Sequence, residues 1–250
     1  MNHKYKLSKY LLVLVLFSQS LFAFKKLPEN FYINYEIFQS IKIRNVDIEK
    51  SQISSGEIKI KYKSKIKKYD LNVQIITKKF LKLYGDKEFQ SSGEIGESGL
   101  LFHTFLLKDI KKPKKNRYVT YDRKKGLVYM PSRNYQTIEK KFVGNLLDIP
   151  SLIMQFQFEK PKSNYSFDFF YKKKIRNIVY KKMKDESIKI NGNIYLSELY
   201  EGKILLAKNS KHLIWLSKGP YRIPIKIRLK MKGGLMIDLN LKTTDLKLKN

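Results

Sequence analysis

At 250 residues, 42% apolar and 13% aromatic, the chain can bury a sizeable core and is too hydrophobic to be disordered throughout. Its formal charge is +30, from 52 basic and 22 acidic residues. With no Cys and three His, disulfides, thiolate zinc centres and Cys nucleophiles are excluded, and histidine chemistry has little material to work with.

Residues 1–23 have the three parts of a secretory signal. Lys4, Lys6 and Lys9 form a basic start, and Leu11 to Phe17 is an apolar run of seven residues. That run is far shorter than the ~20 residues a membrane-spanning helix needs. Ser18 to Ala23 supplies a cleavage site, with Leu21 and Ala23 at its third-last and last positions. The plainer alternative is an uncleaved N-terminal anchor. No Cys follows the run, so a lipoprotein modification is excluded. The expectation is an exported, periplasmic bacterial protein whose mature part, residues 24–250, is one β-rich domain with no transmembrane segment.

From there the chain alternates with period two, the signature of half-buried strands. Ile58, Ile60 and Tyr62 alternate with lysines, and Tyr69, Leu71, Val73 and Ile75 with Asp70, Asn72 and Gln74. Lys78 to Leu83 suits a short helical turn. Gly93, Gly96 and Gly99 match no dinucleotide fingerprint and read as turn glycines, with Glu88, Glu94 and Glu97 nearby. That carboxylate spacing alone does not exclude a glycosidase pair, but acids beside turns are usually solvated. His103, in Leu101-Phe-His-Thr-Phe-Leu106, reads as a satisfied strand histidine. Lys111-Lys-Pro-Lys-Lys115 and Lys172 to Lys174 read as solvated loops or strand ends.

Asn145 to Phe156 is the best helix, with Pro150 in its first turn and Asp148 as cap. Phe167, Phe169 and Tyr171 resume the strand pattern, and Asn191-Gly192 marks a tight hairpin. His212 falls in the basic stretch Lys208 to His212, which reads as an exposed loop. Trp215, the sole Trp, reads first as a core anchor and alternatively as a cavity-lining residue. Ile225, Ile227, Leu229 and Met231 form one arm of a last hairpin, Gly233-Gly234 its turn, and Leu235 to Leu241 the other.

A sheet with one oily and one charged face must cover the oily one. The fold expected is mainly β: a single curved antiparallel sheet or half-barrel with one or two short helices. No Gly-x-Ser-x-Gly elbow, phosphate loop or His-Glu-x-x-His helix occurs, so the sequence offers no catalytic, cofactor-binding or metal-ligating residue. Lysine outnumbers arginine 45 to 7. This suits the codon drift of an AT-rich genome better than selection for nucleic acid, which would favour Arg. The charge will nevertheless attract anionic surfaces such as phospholipid headgroups.

The order of segments resembles the bacterial envelope proteins grouped as domain of unknown function 3108. Phe31 to Phe38 followed by Ile41 to Ile48 resembles the family's first hairpin, and Asp86 to Gly93 leading into Gly99-Leu-Leu-Phe102 its middle strands. Leu147 to Met154 stands where members start a helix with Asp-Pro-x-Ser, although Ile149 here separates Asp148 from Pro150. Ile214-Trp-Leu-Ser-Lys-Gly-Pro-Tyr-Arg-Ile-Pro-Ile-Lys-Ile227 is similar to the closing motif, with Lys218-Gly219 replacing a common acidic turn. The resemblance covers about Phe31 to Leu241. It implies a curved sheet like that of the periplasmic carriers and receptors of lipoproteins, which hold acyl chains in the concave face, and it carries no functional residues. The expected function is a non-catalytic envelope protein binding a lipid or other apolar component. The alternatives are an adaptor that pairs its sheet edge with an envelope protein, and, more distantly, an envelope hydrolase. Expected partners are lipid, an anionic envelope surface or an envelope protein, and not nucleic acid; no cofactor is expected.

Overall fold

The computed structural model describes residues 28–41, 53–131, 137–171, 174–205, 211–230 and 235–248. The signal segment, the Gly233-Gly234 turn and the second arm expected at Ile41 to Ile48, from residue 42 on, lie outside them.

Among the described residues fifteen strands form one sheet: β1 (Asn30–Ile41), β2 (Ile53–Lys65), β3 (Lys68–Thr77), β4 (Lys87–Gly96), β5 (Gly99–Asp109), β6 (Arg117–Asp122), β7 (Leu127–Pro131), β8 (Thr137–Lys141), β9 (Leu146–Leu147), β10 (Asn164–Tyr171), β11 (Lys174–Ile190), β12 (Asn193–Ile204), β13 (Lys211–Ser217), β14 (Pro224–Lys230) and β15 (Leu235–Thr244). Their spatial order is β8-β7-β6-β5-β4-β3-β2-β1-β15-β14-β13-β12-β11-β10-β9. The first and last strands therefore pair at the centre of the sheet, Tyr35 opposite Leu241 and Ile37 opposite Leu239. Every pairing is antiparallel except β9 with β10. The first hairpin pairs β1 with β2 from Ile53 onward.

The connection from β8 to β9 dictates the curvature. Laid flat, fifteen strands would span roughly 67 Å. Yet β8 and β9, on opposite edges, are joined by residues 142–145 alone, and five Cα steps reach at most about 18 Å. The sheet must therefore roll until its edges nearly meet. It does not close, because β8 and β9 are not paired with each other.

Rolling sends alternate side chains inward. Ile33, Tyr35, Ile60, Tyr62, Leu71, Phe102, Tyr165, Tyr200 and Ile225 are buried inside. Their neighbours face out as lysines and ion pairs, among them Arg228 with Asp238, joined by two hydrogen bonds of 2.8 Å. Trp215 lies on this outer side, out of step with the inward-facing His212 and Ile214. It is buried there as its indole N–H donates to Glu186 Oε1 at 2.6 Å and Lys226 Nζ stands 5.3 Å from its ring. It is buried, as the core-anchor reading expected, but on the outer face, and it does not line the interior cleft.

The helix, α1 (Ile149–Gln155), is shorter than its apolar spacing suggested, because Leu146 and Leu147 are drawn into β9. Asp148 caps it: the Ser151 N–H donates to Asp148 Oδ1 and the Asp148 N–H to Ser151 Oγ, both at 2.8 Å. Gln155 fastens its far end to the β4–β5 turn, accepting from Leu100 N–H at 3.0 Å and donating to Ser98 O at 2.6 Å. Gly99, at φ +98°, has no room for a side chain beneath that amide. Gly93, by contrast, sits not in a turn but at a bulge within β4. Lys79–Tyr84 forms a 3-10 turn, as does Pro113–Lys115.

Candidate functional site

Helix α1 divides the interior of the roll. Beside it, Phe156 sits edge-on to Tyr165, Phe167 and Tyr180, with ring centroids 5.3, 5.4 and 5.0 Å away, and fills one part. Beyond the helix, where β1 ends and β2 begins, the interior is an open cleft of about 410 Å³. This lies within the 300–1,000 Å³ range of small-molecule sites. Its floor is Ile149, Leu152, Ile153 and Phe156, and its walls are Ile37, Ile58, Ile75, Ile214, Ile227, Leu229, Ile237 and Leu239. Alternation makes this surface aliphatic: the wall residues occupy the inward positions of β1, β2, β3, β13, β14 and β15.

The polar exceptions stand at particular places. Thr77, Leu81, Gly85 and Lys87 line the side formed by the 3-10 turn, and Lys87 Nζ is held 3.0 Å from the buried Asp109. On the opposite wall, Tyr180, Gly202 and His212 are register partners on β11, β12 and β13. A Cβ at Gly202 would lie 2.5 Å from the His212 ring and 2.6 Å from that of Tyr180. The glycine thus leaves room for the two rings to meet edge to face at 5.3 Å and share a hydrogen bond of 3.0 Å between His212 Nε2 and the Tyr180 hydroxyl. Burial pushes the Tyr180 hydroxyl well above its ordinary pKa. His212 is therefore part of strand β13 and of the cleft wall, not the exposed loop residue its lysine-rich neighbours suggested.

His103 is remote from the cleft, half-exposed on the outer face with Nε2 3.7 Å from Glu94. Glu88 is likewise on the outer face, bonded to Asn72 and Gln90 and 3.7 Å from Lys108, and Glu97 lies in the β4–β5 turn. The three carboxylates do not converge. Among the described residues no three His, Asp or Glu side chains are grouped to hold a metal.

A buried polar cluster escaped sequence reasoning. Arg222 donates to Glu198, to the Tyr165 hydroxyl at 2.6 Å and to the Glu159 carbonyl at 3.3 Å. Lys182 donates to the other Glu198 oxygen at 2.9 Å. Burial raises the Glu198 pKa, but Lys182 and Arg222 outweigh it and hold the carboxyl below its usual range. The cluster is fully paired inside the wall and has no share in the cleft, so it serves as a structural tie. Its signals were a Glu interrupting Tyr195-Leu-Ser-Glu-Leu-Tyr200 and an Arg within the closing motif.

Residues 35–240 match the family described as protein of unknown function, DUF3108. The chain belongs to that family. The DUF3108 fold is shared more widely. The chain is similar to a β-barrel-like protein of domain of unknown function DUF1849 from Brucella abortus, at 11% identity, a TM-score of 0.58, and 87% and 98% coverage of the two chains. It also aligns over 92% of both chains with a putative outer membrane lipoprotein-sorting protein domain from Vibrio parahaemolyticus, at 12% identity and a TM-score of 0.33. No curated protein matches the chain.

Proposed function

We propose that this DUF3108 protein is a non-catalytic, periplasmic envelope protein that holds an acyl chain, or another slender apolar component of the envelope, in the cleft beyond α1. The observation that carries this reading is the cleft's lining: about 410 Å³ walled mostly by aliphatic side chains and floored by the apolar face of a helix. Each methylene moved there from water gains about 0.8 kcal/mol, and the polar lining residues Lys87 and His212 are paired with Asp109 and Tyr180. The edges of the sheet give the adaptor reading less to work with, because β8 has five residues and β9 two, and β8 ends in Glu139-Lys-Lys141.

Titration of the protein with a fluorescent long-chain fatty acid tests this. Saturable binding at one site is expected, weakened at least tenfold by Ile237→Glu, which places a carboxylate on the cleft wall. Absence of saturable binding, or equal binding by the variant, would overturn it.

A further inference from the structure

Two chain segments stand together at the Gly85 side of the cleft. The first is the 3-10 turn Lys79–Tyr84, the second the loop from Ile110 to Lys115. They are tied by the Ile110 N–H, which donates to Asp86 O at 3.1 Å, and by Gly85, whose missing side chain makes room for Lys111. Each carries a large apolar side chain pointing to solvent: Leu83 is 62% and Ile110 67% exposed. Each also carries exposed lysines, Lys79 and Lys82 on the turn and the Lys111-Lys-Pro-Lys-Lys115 run on the loop.

Of the nearby acids, Asp109 already holds Lys87 and the Lys112 N–H, Asp86 bonds Thr77, and Glu57 pairs with Lys78 and Lys242. None of the lysines of the turn and loop forms an ion pair among the described residues. Two exposed apolar side chains on neighbouring segments, flanked by exposed lysines, make a mixed apolar and basic rim. The arrangement matches an interface in which hydrocarbon lies beneath a layer of negative charge.

We infer that this rim is the surface by which the protein docks on an anionic phospholipid bilayer, Leu83 and Ile110 entering below the headgroups and the lysines engaging them. Leu81 and Gly85 of the same segment line the cleft. Docking would therefore set the cleft's mouth against the membrane, and in that respect the inference rests on the acyl-binding reading.

Co-sedimentation of the full chain with phosphatidylcholine vesicles, with and without phosphatidylglycerol, tests it. The protein should bind the anionic vesicles, release as salt rises, and ignore the neutral ones. Lys82→Gln and Lys111→Gln should each weaken binding roughly fivefold, and Leu83→Ser with Ile110→Ser at least tenfold. Equal binding to both vesicle types, or variants that bind as the parent does, would overturn the inference. All four side chains are exposed, so thermal midpoints and fatty-acid binding in the absence of vesicles should stay at the parent's values. Vesicle binding without fatty-acid binding would remove the cleft reading and leave the docking surface standing.

Discussion

Asp148 shows how much one carboxyl can carry. It is wholly buried; one oxygen caps α1, while the other, Oδ2, has no hydrogen-bond partner. Burial, opposed by its hydrogen bonds with Ser151 and by the nearby Ser91 hydroxyl, pushes its pKa up from 3.8 to about 6. The folded state thus binds the proton more tightly than the unfolded chain. The resulting stabilisation is complete below pH 3.8 and is lost as pH rises through 6, by up to about 3 kcal/mol for a shift of this size. The lowered carboxyls Glu57, Asp109 and Glu198 act in the opposite sense at lower pH. Asp148→Asn keeps a good helix cap and should abolish the decline between pH 4 and 6, measured as the difference in unfolding free energy between parent and variant. Parallel pH profiles for the two proteins would contradict this assignment. Arg222 and Glu198 form a buried ion pair. Glu198 is the carboxylate that Arg222 meets, so Glu198→Gln leaves a buried guanidinium without its counter-charge, which generally costs about 3–5 kcal/mol in unfolding free energy. Lys182, by contrast, still holds Glu198 when Arg222 is removed.

At the scale of elements, the row Tyr180–Gly202–His212 shows three adjacent strands locked by the absence of a side chain in the middle one. Gly202→Ala puts a methyl between the rings, breaks their hydrogen bond and should cost about 1–3 kcal/mol in chemical denaturation; a variant as stable as the parent would show that the rings move aside freely. Strands of this kind were legible in the sequence because burial follows parity: Ile58, Ile60 and Tyr62, or Ile225, Ile227 and Leu229, announce an inward face directly. The Asp148 cap and Pro150 announced the helix in the same local way. His212 was not legible, because its neighbours 208–211 look like loop and its partner Tyr180 is brought to it only by β12. Trp215 was legible as buried but not as outward-facing, since that depends on the register with Lys226 and on reaching Glu186. Cleft and docking rim were hidden for one reason. Both are made where segments far apart in sequence converge, as Leu83 and Ile110 do through the pairing of β4 with β5.

At the scale of the molecule, topology makes the cleft. The four-residue connection 142–145 forces the sheet to roll, and α1 immediately follows β9, so the helix is delivered into the roll. Gln155 and the Phe156 aromatic cluster then fix it where it fills one part and leaves the other open. A roll filled entirely by its own side chains would need larger residues than Ile and Leu at the inward ends of β2, β14 and β15. The open cleft and the basic rim both bear on the proposal that an envelope lipid is the natural occupant. The most direct test is mass spectrometry of organic extracts from the protein purified natively, without detergent, from the cells that make it. A lipid at about one molecule per chain is expected, reduced in Ile237→Glu. A protein that carries none, and takes up none after incubation with envelope lipids, would contradict it.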